Sequence, residues 1–483
     1  MRVSSAFVSL LVIVTLFATL TFPTGCANII PPQGGPRDTI PPVLLKANPV
    51  DRATNVTSNR LVFSFDEFVE LQNAQQAVII SPLPAVAPTL ESKLKEVYVR
   101  LRDTLQPNTT YTIDFGSAIK DYNEGNVLKH FRFSFSTGDR LDSGRIKGKL
   151  VLAETGKTDT TLIVILHRSG KDSAIVTDRP AFITRINGKG EFQFDQLPDR
   201  DFYLYAIKDD GGMRRLIGDD QRVAFADSSV RPSNDPTPLT LYAFDLKAKT
   251  GSSVSPAPPI GTPGIKGRPG GGATDRRLRY TNSLSEGKQD LLSAFELSFD
   301  QALTRFDSSK IHLYTDTTFT PVKDHSFAID SNRKKIMVQV PWKENTLYKL
   351  VVEKEALKDT QDRQLLKSDT ISFTSRRRAD YGKLSIRLRN PNNPPADGNT
   401  SNPVIQLVLN ETIVATQPLG SDVIFRRELF LPGTYEIRVL YDRNQNGRWD
   451  GGRLFPSRLQ PERVRLLDRK VTVKANWENE YEL

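Results

Sequence analysis

Residues 105–137 (LQPNTTYTIDFGSAIKDYNEGNVLKHFRFSFST) return, altered, as residues 343–375 (KENTLYKLVVEKEALKDTQDRQLLKSDTISFTS). The echoes keep their spacing. Asn108 and Tyr111 match Asn345 and Tyr348, three residues apart each time, and Ala118 and Asp121 match Ala356 and Asp359 at the same interval. Leu128 and Phe135 follow Asp121 by 7 and 14 residues; Leu366 and Phe373 follow Asp359 by the same distances. One residue is inserted between Tyr and Asp. This many fixed offsets mark an internal duplication. A period above 200 residues is too long for a solenoid unit, so what was duplicated is a domain or a pair of domains.

The chain has 483 residues, room for about three or four domains. A hydrophobic fraction of 38% with 25 Phe and 13 Tyr can fill several small cores and argues against global disorder. Pro and Gly number 31 and 30, enough for many turns, and no sustained i, i+3, i+4 apolar stripe occurs beyond the N-terminus. The pattern predicts an all-β chain. The formal charge of +10 raises nucleic acid as a partner, but the 66 basic residues are interleaved with 56 acidic ones. The densest basic run, Arg376–Arg377–Arg378, falls at a predicted domain junction. A solvated junction explains it, and no nucleic-acid partner is expected.

Residues 1–25 read as an export signal: Arg2, an apolar run from Ala6 to Phe22, then Pro23, Thr24 and Gly25. A transmembrane anchor is the competing reading, but the run is short and a Pro-rich tail follows. The chain's one cysteine, Cys26, stands directly after Thr24–Gly25. This resembles a bacterial lipobox, with Pro23 where an aliphatic residue is usual. The resemblance implies cleavage before Cys26 and lipid on its thiol, and two or more acyl chains anchor stably. Residues 26–42 are then a lipid-anchored tether with five Pro.

Five short alternating runs lie in residues 43–138: Leu61–Phe65, Ala77–Ile80, Glu96–Leu101, Thr110–Phe115 and His130–Ser136. They predict an antiparallel β-sandwich. Residues 144–247 hold further strands at Ile146–Val151, Thr161–His167, Gly190–Phe194 and Tyr203–Ile207. Residues 248–277 are Gly/Pro-rich, a linker expected to let the two halves reorient. Phe295–Asp300 echoes Phe63–Asp66 and opens the second copy, residues 278–376. In residues 380–483 the runs Gly382–Leu388 and Val404–Leu409 are expected to pair. Leu431–Pro432 leads through an apolar strand to Asp442, as Leu197–Pro198 leads to Asp209. The order is A–B–linker–A–B.

The A units resemble bacterial Ig-like domains of surface and S-layer-associated proteins, above all in FSFDE (63–67) and LQPNTTYTIDF (105–115), where Tyr111 resembles a tyrosine corner. The opening PPQGGPRDTIPPVLLKANPVDRATNV (31–56) looks like that of Ig-like envelope lipoproteins of Gram-negative bacteria. The B units look like β-sandwiches of the prealbumin-like, carboxypeptidase-regulatory type. The resemblance implies tandem antiparallel sandwiches in the cell envelope, in an outer-membrane lipoprotein facing the periplasm or the surface. It implies no particular activity.

The strongest candidate site is YDRNQNGRWD (441–450). Asp442, Asn444 and Asn446 stand at positions 1, 3 and 5 of an EF-hand-type loop, Gly447 at position 6 and Asp450 at position 9. Oxygens at alternating residues can converge on calcium. Position 12 is Arg453 rather than Glu, so Asp450 has to substitute, with Glu462 reaching across. The competing reading is an Asx-rich turn. Asp209, Asp210, Asp219 and Asp220 form a degraded equivalent. The loop from Asp121 to Asn126 is also cation-like, though a solvent-facing turn explains it. A Lys383–Asn476 isopeptide bond is weighed against ordinary surface side chains. The four His are isolated, and no HExxH, GxSxG or P-loop occurs, so no enzyme and no required cofactor is expected. The three Trp, at 342, 449 and 477, are expected in cores or edges.

These readings converge on a lipid-anchored envelope protein with a structural, scaffolding or adhesive role. Its partners are the membrane through lipid and an envelope protein or glycan. A glycan-binding accessory protein is the alternative, and an enzyme with an unfamiliar site a distant third. Replacing Cys26 with Ala is expected to release the protein from membrane fractions. Unchanged retention on sedimentation would sink the anchor.

Overall fold

The computed structural model describes residues 37–247, 277–389, 402–420 and 423–483. Cys26, the export segment and the linker core lie outside the described residues. Among those described, strands dominate and helices are limited to single turns. Four hydrophobic cores follow one another, centred on residues 47–135, 146–243, 278–373 and 384–473. We refer to the structure around each as modules one to four.

The duplication holds strand for strand. In module one Arg60–Phe65 pairs with Glu96–Arg100, and in module three Phe295–Phe299 pairs with Lys335–Gln339. Thr110–Asp114 pairs with Arg132–Ser136, and Leu347–Val352 pairs with Asp369–Ser375. Val69–Leu71 with Ile119–Asp121 has its counterpart in Leu303–Phe306 with Leu357–Asp359. Alternation drives the burial: Leu61, Phe63 and Phe65 face inward, as do Phe295, Leu297 and Phe299. Each fully buried aromatic or aliphatic side chain contributes about 1.5–3 kcal/mol. Phe63 meets Phe115 and Phe133 edge-on, with ring centres 5.3 and 4.9 Å apart.

Each repeated residue has a physical reason. Asn108 and Asn345 adopt left-handed backbone, φ 48° and 50°, which Asn tolerates better than most residues. The Tyr111 hydroxyl accepts the Gln106 N–H at 2.8 Å, and the Tyr348 hydroxyl accepts the Lys343 N–H at 3.1 Å. Both are tyrosine corners. The Thr137 hydroxyl accepts the Thr109 N–H and donates to the Gln106 carbonyl; the Ser375 hydroxyl does the same for Thr346 and Lys343. Ala118 and Ala356 are fully buried where the chain turns. The match fails at Leu366, which is 63% exposed while Leu365 is buried instead. The bridge that closes the loop joins Lys358 to Gln364 where the first copy joins Lys120 to Val127, one residue fewer, so the core takes the neighbouring Leu.

Modules two and four also share a topology. The first strand, Gly144–Leu152 or Gly382–Arg387, runs parallel to the last, Leu239–Asp245 or Glu478–Glu482. It runs antiparallel to Glu191–Leu197 or Ile424–Phe430. Leu162–His167 pairs with Tyr203–Lys208, as Asn402–Leu409 pairs with Gly433–Asp442. The expected pairing of 382–388 with 404–409 is therefore corrected: those strands lie in different sheets. The expected strand at Ala77–Ile80 is shortened, because Ala74–Ala77 forms a helical turn and extension begins at Ile79.

The two B modules pack directly on one another, so the expected free reorientation of the halves is also corrected. Leu454 of module four is 1% exposed, buried among Ile175, Tyr205, Phe225 and Phe244 of module two. The Val464 N–H donates to the Ala153 carbonyl at 2.9 Å. Lys157 pairs with Glu411 at 2.7 Å and Glu436 at 3.2 Å. At Gly156, φ is 68° and an added Cβ would lie 2.8 Å from the Leu466 nitrogen, so only Gly lets the two backbones meet. Modules one and two meet through Gln196, which accepts from the hydroxyls of Thr112 at 2.7 Å and Ser134 at 2.6 Å. Modules three and four meet through Tyr381, whose hydroxyl accepts the Leu291 N–H at 2.8 Å and donates to Asp290 at 3.0 Å.

Replacing Tyr348 with Phe is expected to cost about 1 kcal/mol by leaving the Lys343 N–H without its acceptor. Urea unfolding followed by Trp342 fluorescence would read it, because Trp342 packs on Tyr348 with ring centres 4.9 Å apart.

Candidate functional site

Asp442 ends the longest strand of module four, Gly433–Asp442, and is 1% exposed. Its Oδ2 accepts the Gly447 N–H at 2.7 Å, closing a six-residue turn. Gly447 has φ 72°, the left-handed value that position 6 of such a loop requires. The Asp442 Oδ1 is buried and has no hydrogen-bond partner. Asn444 Oδ1 accepts the Asn446 N–H at 3.1 Å, and Asn446 Oδ1 accepts the Arg448 N–H at 2.7 Å. Both side-chain amides donate to Asp450 Oδ2, at 2.6 and 2.9 Å. The predicted residues Asn444, Asn446 and Asp450 are therefore in contact across the loop, with Asp442 at its base.

Glu462 does reach across, in a definite way. It is 2% exposed, and its two oxygens accept the Arg443 N–H at 2.8 Å and the Asp450 N–H at 3.0 Å. It thereby staples the start of the loop to its end. Burial pushes the Glu462 carboxyl up, and the nearby charges of Asp450 and Asp442 add to that rise. Trp449 donates its indole N–H to the Glu462 carbonyl at 2.7 Å. Position 12, Arg453, turns away into a hairpin and bonds Ser457.

The module-two equivalent does not assemble. Asp210 pairs with Lys208 at 3.2 Å and Asp219 with Lys247 at 2.6 Å. Lys383 pairs with Glu478 at 2.9 Å, whereas Asn476 occupies a left-handed turn and gives its backbone N–H to Tyr381. Trp342 is buried and Trp449 is wedged between modules, but Trp477 is 62% exposed, contrary to the expected edge packing. Its place in the turn before the last strand leaves it without a sheet face to cover it, and Lys474 lies over its ring.

The Asp121 loop is a turn anchored on its own backbone, with Tyr122, Asn123 and Gly125 facing solvent. Asp121 is 1% exposed and accepts the N–H groups of Glu124, Gly125 and Asn126 at 2.5, 2.8 and 2.7 Å. In the second copy Asp359 accepts the N–H groups of Gln361 and Arg363, and the Arg363 Nε at 2.6 Å. Burial alone would raise both carboxyls, but these donors hold them below the usual carboxylate range. Around Asp121 the structure adds a residue the sequence did not point to. Glu67, Asp121 and Glu124 bring carboxylate oxygens within 4.8 Å of one another, the one such group among the described residues. Burial and then Asp121 push the Glu67 carboxyl up. The second copy has Gln301 in the place of Glu67, and Arg363 beside Asp359. The adjacent FDE motif was the signal that could have found it. Asp442, Asp450 and Glu462 are less tightly gathered, so an ion there would depend on amide and carbonyl oxygens as well.

A cleft of 890 Å³ lies between modules one and two. Its main cations are already engaged: Arg132 with Asp114 at 3.0 Å and Asp195 at 2.5 Å, Arg185 with the Ala77 carbonyl at 2.8 Å.

Residues 38–137 match the family model described as bacterial Ig-like domain, and module one is such a domain. Comparison with curated proteins gives no match. Solved structures with some likeness include the Bacillus anthracis TIE protein, at 11% identity over 94% of this chain and 75% of that one, TM-score 0.18. BcpA, the major pilin subunit of Bacillus cereus, is 10% identical over 70% of this chain and 98% of its own, TM-score 0.17. The S-layer protein SbsC is 10% identical over 92% of this chain and 54% of its own, TM-score 0.16. Overlaps this loose carry no argument about the present chain.

The depressed carboxyls have a pH consequence. A lowered folded-state value adds stability above the unfolded carboxylate range near 4, and that stability is lost as pH falls through the folded-state value. Replacing Asp359 with Asn is expected to cost about 1.5–3 kcal/mol at pH 7. It should also flatten the acid limb of a melting-temperature profile below about pH 4.

Proposed function

We propose that this chain is a non-enzymatic, lipid-anchored envelope protein that acts as a structural or adhesive scaffold. Cys26 holds the membrane end, and the four sandwich modules present a fixed surface to an envelope protein or glycan. The observation that carries this reading is the direct contact at every module junction, above all Leu454 buried in module two. A scaffold needs fixed spacing between its modules, and buried apolar contacts supply it. The bacterial Ig-like match of residues 38–137 supports the reading at the level of the first module.

One observation favours glycan binding as a second reading. Phe68 and Tyr122 are 45% and 67% exposed, and they are neighbours: the Tyr122 N–H donates to the Phe68 carbonyl at 2.9 Å. Exposed rings beside the carboxylates of Glu67 and Glu124 could stack on a sugar and bond its hydroxyls.

One assay separates the two. Cells carrying Gly156→Val, which forces modules two and four apart, are compared with cells carrying Tyr122→Ala for attachment to surfaces and for retention on polysaccharide. The scaffold reading expects loss of attachment with Gly156→Val and little change with Tyr122→Ala; the glycan reading expects the reverse. Normal attachment and envelope integrity after deletion of the whole gene would overturn the scaffold.

A further inference from the structure

Asp450, the last candidate oxygen donor of the loop, is followed at once by the segment that docks module four on module two. Leu454 fills the apolar face of module two. The Arg458 guanidinium donates to the Tyr205 hydroxyl at 2.6 Å and pairs with Asp172 at 2.8 Å. The Gln460 amide donates to the Phe225 carbonyl at 3.0 Å and to Asp227 at 2.8 Å. Glu462 then closes the segment by bonding back to Arg443 and Asp450. Loop and docking hairpin are one closed unit, from Asp442 to Glu462.

The loop lacks one thing. Asp442 has one oxygen held by Gly447 and the other buried without a partner. A buried carboxylate oxygen left unpaired is costly, and nearly all such atoms in folded proteins are satisfied. The Arg443 guanidinium is turned away onto the Gln460 carbonyl. Asn444, Asn446 and Asp450 converge on one another within the same loop, and rotating an Asn amide about its last bond exchanges nitrogen for oxygen. The donors are all hard oxygens, with no sulfur or imidazole among them, which excludes a zinc-type site. An irregular loop offering carboxylate, amide and carbonyl oxygens suits calcium better than the smaller, stricter magnesium.

We propose that the Asp442–Asp450 loop binds calcium through Asp442, Asn444, Asn446 and Asp450, and that the ion locks the 453–460 hairpin against module two. Calcium then sets the stiffness of the joint between the two B modules. This deepens the scaffold reading and rests on it for its biological purpose, although the binding itself does not. Without a bidentate Glu at position 12 the affinity should be that of extracellular modules, on the order of 10⁻⁴–10⁻³ M.

The test uses the full chain in detergent, stripped with chelator and titrated with calcium chloride. Calorimetry should show one site of that affinity. At about tenfold excess the melting temperature should rise by about 2–4 °C. Small-angle scattering should show a narrower spread of particle dimensions. Asp442→Asn, which keeps an acceptor for Gly447 but loses the charge, should abolish all three effects. Leu454→Asp should keep the binding heat and lose the scattering change. Absence of binding heat, or heat that survives Asp442→Asn, overturns the site. Binding with no change in scattering overturns the clasp. Either failure leaves the attachment result of the deletion strain untouched, so the scaffold reading stands or falls separately.

Discussion

Leu454 belongs to module four, yet its environment belongs to module two. Burying it there fixes the arrangement of the whole described structure, because modules two and four each hold a partner of their own through direct hydrogen bonds. Module one is tied to module two through Gln196, and module three to module four through Tyr381. Once the middle pair is docked, the order in space is one, two, four, three. The apolar plug supplies the cohesion, as burial of one such side chain contributes about 1.5–3 kcal/mol. The surrounding polar contacts, such as Lys157 with Glu411 and Arg458 with Asp172, set the orientation and contribute less, being partly exposed.

The duplication was legible because its repeated residues answer to local rules. Asn108 and Asn345 meet a left-handed turn, Tyr111 and Tyr348 close a corner five residues back, and Asp121 and Asp359 tie down their own loops. Each partner is near in sequence, so spacing alone exposes the motif. The strands Phe182–Arg185 and Arg222–Phe225 were not legible, being short and lacking an extended alternation. Pairing was less visible still. Gly382–Arg387 finds its partners at 424–430 and 478–482, far along the chain, and nothing in its own pattern distinguishes those from the nearer 402–409. The docking of module four on module two was hidden for the same reason: Leu454 stands in a short Leu–Phe–Pro run after Arg453, and nothing in that run names a partner in module two.

The candidate site was half legible. The alternation of Asp442, Asn444 and Asn446 before Gly447 announces a loop whose side chains turn inward. It does not announce that Asp442 is buried, since that depends on the strands packed around its base. Nor does it say whether Glu462 is a donor or a staple. That is decided by two backbone N–H groups, those of Arg443 and Asp450, which only the closed loop brings together. The acidic group at Glu67 was missed because its members are far apart in sequence and meet only where two strands pair: Glu67 just before Val69–Leu71, Asp121 and Glu124 at and just after the end of Ile119–Asp121.

The meeting of modules two and four also decides how the chain would behave under tension. Pulled between module one and module three, the described structure carries the load across its middle through the non-covalent face around Leu454. The face holds by one buried apolar plug and partly exposed polar contacts, whereas each sandwich holds by a whole core, so the face yields first. The sandwiches on either side would still be folded. A joint of this kind works as a mechanical fuse, able to yield under a sudden pull and to re-form when the pull stops.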